Sequence, residues 1–331
     1  MTLHTPVCDL LGIGVPVGNA GMAGGTAGPE LAAAVANAGG LGGLGGISRG
    51  GPEALRADIR KTRELSSKPF SVNLWVHILP TLPQLLDVCV EERVPSVTFT
   101  FGDPAPYVGR AKDAGIKVIH QVQTVAQAKQ AADAGVDVII AQGGEAGGHT
   151  GSVATMALVP QAVDAAHGVP VLAAGGIADG RGLVAALALG AQGVVMGTRF
   201  VAAEESRPSA HQHRERILAA TADDTIWTDV FDIIDGIPWP WPEWIHGRTI
   251  RTPFADEWHG RETELREQVA AIRAESTTAH EAPDRAHSAY AGQASGLVRD
   301  VKTAAQIIAA ITREAEDVLA KLARVEVRSE K

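Results

Sequence analysis

His149 closes the stretch A-Q-G-G-E-A-G-G-H-T-G (141–151), where four of the five glycines precede the histidine. Ordering that much glycine costs backbone entropy that packing alone rarely demands. The stretch therefore reads as a loop whose backbone approaches a ligand and which presents His149 as a base for a carbon-bound proton near neutral pH. The competing reading is a histidine that only orders its loop or caps a helix. Other histidines carry less. His77 and His120 lie near strand ends and either line a pocket or serve the structure; His211, His213, His246, His259, His280 and His287 fall in a polar tail where solvated roles are the default. No histidine pair has metal-ligand spacing with acidic partners, so no metal site is expected. Cys8 and Cys89 offer neither a disulfide framework nor zinc spacing, which fits a reduced, cytoplasmic setting.

Two further stretches suit a phosphate. V-L-A-A-G-G-I-A-D-G-R-G (171–182) is a strand, a turn at Gly175-Gly176 and a helix start with Asp179 as N-cap. G-V-V-M-G-T-R-F (193–200) is a strand that runs through Met196 to Gly197 and Thr198. Glycine lets peptide N–H groups come close to phosphate oxygens, and a helix N-terminus adds its dipole. Either stretch alone could be a tight turn; on consecutive strands they read as one phosphate site, with Arg199 either assisting or lying on the surface. Asn19, Asn73 and Gln142 add amides able to bond the edge of a flat heterocycle, and Gln121 is another polar residue at a strand end. The loop N-A-G-M-A-G-G-T-A-G (19–28), with Ala20, Gly21 and Met22, exposes backbone on which a ring could lie. One phosphate, one chain and one ring describe FMN. No G-x-G-x-x-G opens a βαβ unit with a ribose-binding acid behind it, so a Rossmann dinucleotide site is not expected.

These residues need a scaffold that gathers them. Apolar, β-rich runs at 15–20, 41–46, 70–75, 96–101, 117–122, 137–142, 169–174 and 193–198 alternate with helical patterns at 29–38, 53–64, 82–92, 105–114, 124–134, 155–167, 179–189 and 208–220. Uniformly apolar strands imply a parallel sheet covered by helices on both faces. Ala-Gly pairs at 38–39, 114–115 and 134–135 supply left-handed helix stops. Eight units in about 200 residues predict an α/β fold, a (β/α)8 TIM barrel; a doubly wound open sheet is the alternative. Polar or glycine-rich residues follow nearly every strand, and only a barrel brings all eight strand ends to one mouth. Glycine is dense after strands 1, 2, 6, 7 and 8, the places where backbone would approach a flat, phosphorylated cofactor.

The remainder is different in kind. Of 37 glycines only 5 follow residue 200, whereas 39 of 67 charged residues do. Five of six tryptophans lie at 227–258, and P-W-P-W-P-E-W (238–244) is extended or turn-like. The expected organisation is a barrel over 1–205, a small lid or substrate domain over 206–275, and over 276–331 a linker plus a C-terminal helix near 301–323. Ile307, Ile308, Ile311, Ala315, Val318, Leu319 and Leu322 form an apolar stripe that packs that helix back on the barrel. Trp239, Trp241 and Trp244 either line an apolar substrate pocket or pack the lid. With 331 residues, net charge −9 and mean hydropathy near zero, the chain is expected to be soluble and cytoplasmic, without a secretory signal, membrane span or nucleic-acid partner.

The strand-1 loop, V-N-L (72–74), A-Q-G-G-E-A-G-G-H-T-G (141–151), A-A-G-G-I-A-D-G (173–180) and M-G-T-R-F (196–200) together resemble the nitronate monooxygenase family, formerly 2-nitropropane dioxygenase, and A-G-Q-A-S-G-L-V (291–298) looks like its C-terminal signature. The resemblance implies an FMN barrel with a small second domain. It implies His149 as the base, Asn73, Gln142 and Gly147 beside the flavin, and Gly175, Gly176, Gly197 and Thr198 on the phosphate; Gly148, in the histidine loop, is a further candidate cofactor contact. Nitroalkanes would lose their α-proton to His149, or a preformed nitronate would bind directly, with FMN and O2 carrying the oxidation. The family's strand-1 loop has a proline where this chain has Gly21, and the tryptophan-rich segment is also a departure. Related flavin enzymes leave two alternatives: an NAD(P)H-dependent reductase of quinones or enoyl-acyl groups, and a barrel that binds flavin without turnover. The substrate is then a nitronate or another apolar small molecule. A homo-oligomer is left open.

Overall fold

A computed structural model describes residues 3–47, 50–207, 211–236, 241–278 and 288–325. Eight of its strands run parallel: β1 (Val17–Asn19), β2 (Gly42–Gly45), β3 (Phe70–Trp75), β4 (Ser96–Thr100), β5 (Lys117–Val122), β6 (Val138–Gln142) and, beyond a short β7 (Gly148–Thr150), β8 (Val171–Ala174) and β9 (Val194–Met196). They pair in the order β1-β9-β8-β6-β5-β4-β3-β2. A parallel bridge, Gly18 to Leu41, joins the two ends; Leu41 N–H donates to the Val17 carbonyl at 2.9 Å and Asn19 N–H to that of Leu41 at 3.2 Å. The ring is a (β/α)8 barrel, and the open sheet is excluded.

Side-chain alternation along each strand explains why the runs read as uniformly apolar. Val72, Leu74, Val97, Phe99, Ile139, Ala141, Val171, Ala173, Val194 and Met196 face outward into the layer shared with the helices. Leu41, Ile119, Val138, Ile140, Leu172, Ala174 and Val195 face inward. They pack with Val7, Cys8, Leu11 and Ile13, from the N-terminal helix Pro6–Leu11 and the turn behind it. The same alternation leaves Asn73, Thr100, Gln121 and Gln142 as the last or near-last inward residues of their strands. Glycine ends the helices as expected: Gly39, Gly115 and Gly135 have φ of +88°, +74° and +80°.

The C-terminal helix Ala304–Leu322 buries Ala304, Ile307, Ile308, Ile311 and Ala315 against the barrel helices. Its stripe stops short of expectation, because Leu319 and Leu322 are 38% and 53% exposed. Gly180 makes the docking close: a Cβ there would lie 2.4 Å from the Ala315 nitrogen.

Beyond the barrel, β10 (Thr225–Thr228), β11 (His246–Ile250) and β7 form an antiparallel three-stranded sheet in the order β10-β11-β7. Helices Val230–Asp235, Pro253–Trp258 and Glu262–Thr278 lie along the same stretch, with Ile226, Val230, Phe231, Ile234, Phe254, Ala255, Trp258 and Leu265 as a separate core. His149 is thus not in an open loop. It sits in β7, opposite Gly247 of β11, so the barrel's sixth connection is also a strand of the second sheet. Among the described residues no helix is long and apolar enough to cross a membrane.

Candidate functional site

A cavity of about 450 Å³ opens where the barrel strands end. β1 is followed there by Ala20, Gly21 and Met22, and β3 contributes Asn73. Gln121 and Gln142 reach it from β5 and β6, and Gly147, Gly148 and His149 from the loop and β7. Gly175 and Gly176 follow β8, while Met196 ends β9 and Gly197 and Thr198 follow it. Parallel strands closed into a ring must end on one rim, which is why residues spread over 180 positions of sequence converge.

Asn19 is the exception. Its Nδ2 donates to the Gly43 and Ala20 carbonyls at 2.7 and 3.0 Å, and its Oδ1 accepts Gly43 N–H at 2.8 Å. The amide is consumed in stapling the first loop to β2, and Asn19 does not line the cavity. The glycines of β2 serve that same packing rather than a ligand: a Cβ on Gly43 would lie 2.3 Å from the Asn19 carbonyl oxygen, and one on Gly45 2.2 Å from that of Met22. Gly21, the departure from the family pattern, is dictated locally, since a Cβ there would come within 2.4 Å of the Asn73 Cβ. Gln123, buried and absent from the sequence reading, donates from Nε2 to Gln142 Oε1 at 2.9 Å and so leaves the Gln142 NH2 as donor.

Bare peptide faces the cavity where a phosphate was expected. Gly175 and Gly176 have φ of +101° and +70°, a left-handed pair that only glycine adopts without strain. A Cβ on Gly197 would meet nothing closer than 3.8 Å, and one on Gly148 nothing within 4 Å, so peptide lies open to a ligand at both. Among the described residues no lysine or arginine lines the cavity, and near these turns peptide dipoles and the Thr198 hydroxyl are available to an anion. Two groups that could have assisted are engaged elsewhere. Arg199 is buried against Asp300, with Nη1 3.1 Å from its Oδ1 and Nη2 2.9 Å from its carbonyl. The helix after β8 has its first turn filled by carboxylates: Asp179 accepts Gly182 N–H and Glu314 accepts Gly180 N–H. The open peptide at the β8 and β9 turns and the amides of Asn73, Gln121 and Gln142 make a donor set of the kind a flavin could use.

The C-terminal signature is packed onto the histidine loop. A Cβ on Gly147 would lie 2.5 Å from the Ala291 carbonyl carbon, and one on Gly292 2.4 Å from the Glu145 oxygen. Gly292 N–H donates to Thr198 Oγ1 at 2.9 Å and Gln293 N–H to the Glu145 carbonyl at 2.9 Å. The Glu145 carboxylate in turn accepts Thr155 N–H and the Thr155 hydroxyl, each at 2.8 Å, capping helix Thr155–Ala165 from outside.

His149 stands at the mouth with its side chain 11% exposed. Its Nε2 lies 2.8 and 3.0 Å from the two oxygens of Asp232, on helix Val230–Asp235, and the Tyr290 hydroxyl donates to Asp232 Oδ1 at 3.3 Å. Burial, with Asp232 and Asp235 beside it, pushes the Tyr290 phenol well above its usual range, so it stays a donor. The Trp241 indole stacks on the His149 ring at 3.9 Å, and Trp75, His77 and Phe101 surround that indole at 5.3, 4.9 and 4.9 Å. Both His77 ring nitrogens are buried without a hydrogen-bond partner among the described residues, and burial lowers the pKa of the imidazole. His120 belongs to the outward face of β5, away from the cavity. Trp239 lies outside the described residues, Trp258 is in the second core, and Trp244 is 41% exposed. Of the residues missed in sequence, Trp75 was findable as the next inward position after Asn73, and Tyr290 as the neighbour of the C-terminal signature. Asp232 carries no local signal at all.

The sequence model of a family described as nitronate monooxygenase matches residues 4–85 and 74–314. A (3aS,4S,5R,7aS)-5-hydroxy-7a-methyl-1-oxo-octahydro-1H-indene-4-carboxyl-CoA dehydrogenase of Rhodococcus jostii is 42% identical over 237 residues, 72% of this chain. The chain spans 65% of that relative's length, just under two thirds. A probable nitronate monooxygenase of Staphylococcus saprophyticus is 33% identical over 277 residues, 70% of this chain and 77% of the relative. Among solved structures, FabK from Thermotoga maritima superposes with a TM-score of 0.85 at 39% identity, covering 97% of this chain and 99% of its own.

Proposed function

The chain belongs to the nitronate monooxygenase family, and on that premise we propose that it is an FMN-dependent oxidoreductase whose His149 removes a proton from carbon acidified by a neighbouring nitro group. The observation that carries this reading is the His149 imidazole, held at the rim of the glycine-walled cavity with one ring nitrogen bonded to a carboxylate. A neutral imidazole so bonded has its other nitrogen free to accept. FMN, when bound, supplies the oxidising equivalents, with O2 as the final acceptor. The chain's own part is to seat the phosphate on the turns at Gly175-Gly176 and Gly197-Thr198, to orient the ring with the amides of Asn73 and Gln142, and to hold the base. A nitronate that arrives already deprotonated needs the first two of these and not the third.

A second reading has the same base act beside a thioester carbonyl, with NAD(P)H as electron partner in the reductive direction. It is favoured by the 42% identity to a CoA-thioester dehydrogenase. Anaerobic mixing of the purified yellow protein with propyl nitronate, nitroethane, acyl-CoA thioesters, NADH and NADPH in parallel divides the two. Bleaching of the flavin by nitronate and nitroethane supports the first; bleaching only by thioesters or pyridine nucleotides replaces it with the second. A colourless protein that takes up no FMN overturns both.

A further inference from the structure

We propose that Asp232 is a positioning residue for His149. With the Tyr290 hydroxyl it pins the imidazole as the tautomer protonated on Nε2, so that Nδ1 receives the substrate proton. This rests on the reading of His149 as base.

A carboxylate only accepts hydrogen bonds. With both Asp232 oxygens 2.8–3.0 Å from Nε2, that nitrogen must carry the hydrogen. Both side chains are 11% exposed, so water competes little for either partner. The carboxylate is itself oriented, because the Tyr290 hydroxyl donates to Oδ1 at 3.3 Å. Room for that tyrosine is built in. Gly247, the β11 residue opposite His149, would place a Cβ 2.9 Å from the Tyr290 ring, so any larger residue there would push the tyrosine off. The three groups come from three separate stretches, β7, helix Val230–Asp235 and the segment leading into the C-terminal signature, and each is placed by contacts of its own.

The step balances without a further reactant. The substrate C–H bond breaks, its electron pair stays on carbon to give the nitronate, and the proton passes to Nδ1. The resulting imidazolium keeps its Nε2 hydrogen on Asp232, which remains ionised and stabilises the new charge without accepting a proton.

The test compares wild-type, Asp232→Asn and Tyr290→Phe holoenzymes on nitroethane, which must lose a proton, and on ethyl nitronate, which need not. D232N is expected to lower kcat for nitroethane by about 10²-fold or more while nitronate turnover stays within about twofold. Y290F, which removes one hydroxyl and keeps the packing, is expected to show the same split at about tenfold. Nitrogen-15 spectra of histidine-labelled holoenzyme, with the H149N variant assigning the signal, should report His149 as the Nε2–H form in wild type and as a mixture in D232N. Equal losses on both substrates, or no loss on either, overturn the proposal, and so does an Nδ1–H tautomer in wild type. If the wild type oxidises neither substrate, the nitroalkane reading fails by itself, and the tautomer spectra still decide the role of Asp232.

Discussion

His149 was legible as a candidate base because four glycines lead up to it, a local and unusual pattern. Its partners were not legible as partners, because Asp232 and Tyr290 are 83 and 141 positions away; Tyr290 at least borders the C-terminal signature, whereas nothing local marks Asp232. Replacing His149 with Asn should reduce nitroethane oxidation by at least about 10²-fold and leave nitronate oxidation nearly intact, checked by oxygen uptake with each substrate. The glycines proposed to seat the phosphate are a second single-residue test. At Gly175 a Cβ would lie 2.8 Å from the Gly143 carbonyl oxygen at φ +101°, so Gly175→Ala must shift the turn that presents peptide N–H groups to the cavity. FMN affinity, measured by fluorescence titration of the apoprotein, should fall by about tenfold or more, the loss of one to two charge-assisted hydrogen bonds. Asn19 shows the limit of residue-level reading: its type and position suit a ring contact, yet backbone groups of the neighbouring strand use up its amide.

The barrel elements follow from patterns that neighbouring residues impose on one another. Apolar runs, Ala-rich helical stretches and Gly stops placed the eight parallel strands to within a residue or two at most ends. β7 escaped notice because Gly-His-Thr is no apolar run and the strand exists only through pairing with β11. The tryptophan-rich segment divides by position: Trp258 packs a core, Trp244 faces outward, and the Trp241 indole enters a box of Trp75, His77 and Phe101 beside the base. Such an indole limits the room next to His149. Trp241→Ala should therefore raise kcat/KM for a phenyl-substituted nitronate relative to ethyl nitronate by about tenfold, a pocket-size effect of the usual magnitude. An unchanged ratio in steady-state assays would remove Trp241 from substrate selection.

At the scale of the whole molecule, stability carries a pH signature from a histidine that the site does not use. Burial behind β5 lowers the His120 imidazole from 6.5 to about 4. Between those values the unfolded chain binds a proton that the folded chain refuses. The contribution is therefore complete above pH 6.5 and is lost as the pH falls toward 4, about 3 kcal/mol across the window. His77, lowered by burial, acts in the same direction. Urea unfolding at pH 7 and 4.5, for wild type and His120→Asn, checks this: the variant should lose less stability than wild type on acidification. By itself the sequence determined the barrel, the rim on which glycines and amides collect, and the histidine among them. These follow from spacing along the chain, since strand and helix periods decide which side chains share a face. The tertiary structure alone decided that Asn19 is spent on β2, that Arg199 pairs with Asp300, that residues 291–293 lean on the histidine loop, and that Asp232 and Tyr290 meet His149. Each of those depends on where distant segments cross, which no local period encodes.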